Sequence, residues 1–100
     1  MRFKQGNTYT LNATIKNVDI QDINKVVFKF NEIEKTYKED GTGDVELDGD
    51  KFVISLSQEE TLQLCETVYY EVAVKFTNEE VKRSKVECTD SLETIINKEI

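Results

Sequence analysis

The chain has 100 residues, which is about one domain and one core. Its 20 acidic residues against 13 basic ones give a formal net charge of -7, which repels phosphate backbones and anionic lipid and argues against nucleic acid or a membrane as partner. With no His and 2 Cys the chain lacks ligands for a zinc site and the usual base for a cysteine nucleophile.

The N-terminal run MRFKQGNTYTL has no apolar stretch of the secretory kind, and no window approaches a membrane span. Cys65 and Cys88 are therefore expected to stay as thiols. Thr8 to Ile15 alternates cleanly, with Tyr9, Leu11, Ala13 and Ile15 on one side, and predicts the first strand. A polar connection over 17–24 leads to a second strand, Lys25 to Asn31, with Val26, Phe28 and Phe30 inward. A third runs over Ile33 to Lys38 and ends in the turn-rich Glu39-Asp40-Gly41-Thr42-Gly43.

Val45 and Leu47 mark a short fourth strand, Asp48-Gly49 reads as a hairpin turn, and Lys51 to Leu56 is the fifth strand. Ser57-Gln58-Glu59-Glu60 fits a capping box, so one or two helical turns are expected over about 57–64. Thr67 to Phe76 alternates as the sixth strand, and Val81 to Cys88 returns as the seventh. Seven strands predict an all-β, two-sheet sandwich over 1–89. Beyond it, Leu92, Ile95, Ile96 and Ile100 stand at helical spacing after Asp90 or Ser91, which fits a short helix over 90–100 that docks on its own domain or on another subunit.

Motifs that carry chemistry are absent or incomplete. Asp44-Val45-Glu46-Leu47-Asp48-Gly49 opens like a calcium loop, but its twelfth position is Ser55 where a bidentate Glu is required. Glu59 and Glu60 are adjacent and do not converge as an acid–base pair, and capping accounts for Glu60. Lys82, Arg83 and Lys85, with Glu79, Glu80 and Glu87 around them, read as an exposed strand of mixed charge. No catalytic residue, metal or cofactor is expected. Tyr69, next to an inward Tyr70, is expected to face out, and Tyr37 is a second candidate for an exposed aromatic.

Three segments carry a resemblance. Gly6, Thr8 and Tyr9 open the chain; Gly49, Phe52, Ile54, Leu56, Ser57, Glu59 or Glu60, and Thr61 form the middle; Tyr70 and Val72 close it. Together they resemble the small immunoglobulin-like domains of tailed-bacteriophage virion proteins, with the N-terminal domain of baseplate upper proteins as the nearest type. Those domains usually carry Pro-Gly before the final tyrosine segment, where this chain has Cys65-Glu66-Thr67. The resemblance implies a seven-stranded antiparallel immunoglobulin-like β-sandwich and a non-enzymatic structural part of a phage or prophage particle, in baseplate, tail or head decoration. Such a protein is made in the bacterial cytoplasm and ends in the virion, with other virion proteins or copies of itself as partners. The expected contact residues are Leu92, Ile95, Ile96, Ile100 and Tyr69. The alternative from the aromatic residues is a module that binds carbohydrate or a cell surface.

Overall fold

Odd–even burial builds two facing sheets from this chain. The computed structural model describes residues 3–64, 67–84 and 87–92. Among them the strands are β1 (Phe3–Lys4), β2 (Tyr9–Ala13), β3 (Ile23–Phe30), β4 (Ile33–Lys38), β5 (Glu46–Asp48), β6 (Lys51–Leu56), β7 (Thr67–Phe76), β8 (Val81–Arg83) and β9 (Glu87–Leu92). A helix, α1 (Gln58–Leu62), joins β6 to β7, and a 3-10 turn at Ile20–Asp22 leads into β3. One sheet runs β1-β9-β7-β3-β4 with β8 also on β7, and the other runs β2-β6-β5. The pairs are antiparallel apart from β1 on β9, which is parallel. The expected all-β class and paired sheets are therefore present.

The core lies between the sheets. Val26, Phe28 and Phe30 of β3 are buried from one side, and Phe52, Ile54 and Leu56 of β6 from the other. The rings of Phe28 and Phe52 meet across the layers at 6.0 Å, and Tyr37 of β4 packs edge-on against Phe52 at 5.1 Å. Each such side chain contributes about 1.5–3 kcal/mol by leaving water. Phe3 is fully buried, edge-on to Tyr9 at 5.3 Å and to Phe30 at 5.9 Å. Its two-residue strand is too short to show alternation, so sequence pattern gives no sign of it.

Turn chemistry fixes the registers. Phe30 pairs with Ile33 across the loop Asn31-Glu32, and Asn31 takes the positive φ of 54° that such a loop needs. Asp48 pairs with Lys51 across Gly49-Asp50, with Gly49 at φ 64°. The hairpin thus lies one residue later than Asp48-Gly49: Asp48 closes the ladder, and the glycine falls at the first loop position, where left-handed backbone is required.

The outer edge of β4 is covered by the chain that follows it. The Val45 N–H donates to Thr36 O at 3.0 Å, and Asp44 Oδ1 accepts from the Thr36 N–H at 2.6 Å. Gly43 makes this approach feasible, because a Cβ there would lie 2.3 Å from Thr36 O. The fourth-strand residue Val45 is consequently buried just ahead of β5.

Two expectations at the C-terminal end need correction. The single strand Val81–Cys88 is divided into β8 and β9. Ser84 interrupts it: its N–H donates to Val72 O at 2.8 Å, but its hydroxyl, not a backbone carbonyl, accepts the Val72 N–H at 2.9 Å. Asp90, Ser91 and Leu92, expected to start a helix, instead finish β9, where Ser91 pairs with Phe3 and Leu92 with Lys4. At Ser91 and Leu92, long-range pairing with β1 overrides the local helical preference. Ile95, Ile96 and Ile100 lie outside the described residues.

Candidate docking surfaces

At one end of the molecule α1 holds the N-terminal segment. Ser57 caps α1, its hydroxyl accepting from the Glu60 N–H at 3.2 Å while the Ser57 N–H donates to Glu60 Oε1 at 2.9 Å, which is the expected capping box. One turn along, the fully buried Thr61 donates its hydroxyl to Asn7 O at 2.8 Å and accepts from the Gly6 N–H at 3.0 Å. Glu60 Oε2 also meets Lys35 Nζ of β4 at 2.7 Å. Burial pushes the Glu60 carboxyl up, but the Lys35 ammonium and the Ser57 N–H outweigh it and hold the group below its ordinary value.

The same end presents Tyr69, which is 57% exposed on β7. Both of its backbone groups are bonded to Asn31: the Asn31 N–H donates to Tyr69 O at 2.8 Å, and Asn31 Oδ1 accepts from the Tyr69 N–H at 2.9 Å. The ring borders a shallow hollow of about 460 Å³ lined also by Ile33, Leu64, Gln63 and Thr67. An exposed aromatic on a fixed backbone beside apolar walls is suited to protein contact, since little entropy is lost on binding.

A second surface lies along β2, the outer strand of its sheet among the described residues. The pair Asp48–Lys51 closes a two-residue loop and is therefore hydrogen-bonded, so alternation along β6 turns Phe52, Ile54 and Leu56 toward β2. Their partners Ala13, Leu11 and Tyr9 complete that ladder, which leaves the N–H and C=O of Thr10 and Asn12 directed outward. Beside this edge an apolar groove of about 370 Å³ opens between the layers, with Ala13, Ile15, Val72, Val74 and Phe76 in its walls and Lys82 at its rim.

The expected site residues are thus dispersed. Tyr69 is exposed, Tyr37 is half-buried against Phe52, and Leu92 ends β9 on the β1 side of the sheet. Asp44 is engaged with the Thr36 amide, while Glu46 and Asp48 are exposed on β5, so the calcium-like run is folded as an edge cover and a strand. Among the described residues no group of three metal-binding side chains occurs, and no helix is long and apolar enough to cross a membrane. Sequence pattern misses the clamp at Thr61 and the role of Asn31; the signals available for them are a Thr directly after the capping box and the positive-φ tolerance of Asn in a tight loop. No protein-family model and no curated protein matches the chain.

Proposed function

We propose that this chain is a non-enzymatic structural protein of a phage or prophage particle, an adaptor or decoration in baseplate, tail or head, that acts through protein–protein contacts. The observation that carries the reading is the junction at Thr61. Gly6 and Thr61 belong to two of the three segments of the virion-domain resemblance, far apart in sequence, and they are bonded to each other. A pattern that recurs to hold a scaffold together has this property; a pattern that recurs for chemistry converges on a cleft.

Strand order supports the immunoglobulin-like form of that scaffold. In the lettering of such sandwiches, β1-β9-β7-β3-β4 corresponds to A′-G-F-C-C′ and β2-β6-β5 to B-E-D. Tyr69 and the β2 edge are then the features through which a neighbour would be held. The rival role, a carbohydrate or cell-surface binder, is weakened by the packing of Tyr37 on Phe52, which leaves Tyr69 as a single aromatic platform.

Co-purification from lysates of particle-producing cells tests the proposal. Recovery of tail, baseplate or head proteins with the tagged wild-type chain is expected. Recovery with none of them, together with binding on a glycan array, would replace the structural role by the sugar-binding one.

A further inference from the structure

We infer that the β2 edge is a self-association surface, on which a second copy of this chain adds its own β2 antiparallel to form one continuous sheet. The inference rests on the assembly reading above and narrows it to one edge and one partner. An outer strand with unpaired N–H and C=O groups is a template for another strand, and soluble proteins normally blunt it with charge, proline or a covering segment. The other outer strands here are short, charged or covered, and β1 is only two residues long and carries Lys4. The edge of β4 is covered by Asp44 and Val45, β5 is short and carries Glu46 and Asp48, and β8 carries Lys82 and Arg83.

Among the described residues β2 has none of these devices. Thr8 to Ile15 contains no charged residue and no proline in a chain that is 33% charged. Thr10 and Asn12 expose small polar side chains, and among the described residues nothing is bonded to their outward backbone groups. The geometry is self-complementary. A two-fold axis through Leu11 sets Thr10 opposite Asn12 of the second copy and Thr8 opposite Thr14, so that the outward donors and acceptors of both strands meet. The same addition carries the inner-face row of the second strand over the apolar groove beside Ala13 and Ile15.

Charge at the edge itself does not oppose a copy of this chain. The edge is neutral and is flanked by the exposed Lys16 and Lys82, whereas the chain as a whole carries a net charge of -7. In the two-fold pairing the same uncharged run 8–14 lies on both sides of the contact, so no like charges are set opposite one another within the pair.

The test is sedimentation and amide hydrogen exchange on the full chain over a wide concentration range. The wild type should pass from monomer to dimer, with the Thr10 and Asn12 amides becoming protected as the dimer forms. Asn12→Pro removes an outward donor that the domain's own ladder does not use, so it should fold normally and remain monomeric. Thr10→Lys with Asn12→Lys, which keeps every backbone group, should do the same if proline disturbs folding. A wild type that stays monomeric, or a dimer that survives both variants with those amides unprotected, overturns the inference. A monomer still found in particles overturns it while leaving the particle role intact, whereas a β2-dependent dimer absent from particles supports it and removes that role.

Discussion

The hydroxyl of Thr61 accepts the Gly6 N–H at 3.0 Å and passes its own hydrogen to Asn7 O at 2.8 Å, so one buried side chain ties the start of the chain to the turn before β7. Thr61→Val keeps the shape and deletes both bonds, leaving a part-buried amide and carbonyl without that partner. A loss of about 1–3 kcal/mol is expected in denaturant unfolding, with Thr61→Ser closer to wild type because it keeps the hydroxyl. Equal losses for the two variants would show that the methyl group, not the hydroxyl, matters.

Gly43 lies against the β4 edge with no room for a side chain. In Gly43→Ala the new Cβ meets the Thr36 carbonyl, a rigid backbone atom, and the segment that buries Val45 must move away. A destabilisation of about 1–3 kcal/mol is expected from this overpacking, with faster exchange of the Val45 amide. Unchanged stability would mean that the loop can rest off the edge without cost.

Asn31 contributes in two ways, a positive φ of 54° and a side chain bonded to the Tyr69 N–H. Asn31→Gly retains the first and loses the second; Asn31→Ala loses both. Thermal or urea unfolding should rank them wild type, then Gly, then Ala, with the Gly–Ala gap roughly 1 kcal/mol from the left-handed backbone alone. The reverse order of the two variants would contradict the assigned loop geometry.

The Lys35–Glu60 pair predicts a pH dependence. Desolvation raises the Glu60 pKa, but the Lys35 and Ser57 hydrogen bonds more than reverse it, so the folded value lies below the ordinary 4.5. The ionised carboxylate therefore stabilises the fold fully above the unfolded value, and this contribution is lost as pH falls through the lower folded value. Urea midpoints for wild type should fall more steeply than those for Glu60→Gln across that acid window. Parallel curves would remove Glu60 from the account of acid sensitivity.

Tyr69 separates stability from docking. Because the ring is mostly exposed and the backbone holds the position, Tyr69→Ala should change stability by no more than about 0.5 kcal/mol. Under the proposed role it should nevertheless reduce recovery of the chain with its particle partners. A variant that loses stability instead would mark the ring as structural.

Much of the fold is legible in the sequence because burial on one face leaves a period of two. Ile33–Lys38, Lys51–Leu56 and Thr67–Phe76 are bounded by turns that the residues themselves announce, and their observed limits coincide with the expected ones. What escapes is set by partners distant in the chain. Phe3 is a strand residue because β9 lies beside it, Leu92 continues a strand for the same reason, and Ser84 divides one because its hydroxyl reaches Val72. The candidate surfaces are harder still: that Tyr69 faces out follows from alternation, whereas the outer position of β2 among the described residues is visible only from the strand order.

The most direct measurement is quantitative mass spectrometry of gradient-purified particles from a producing culture. The proposed role predicts the chain at a fixed ratio to the tail or head proteins, lowered in the Tyr69→Ala strain. An abundant chain in the lysate that is missing from the purified particles would contradict it.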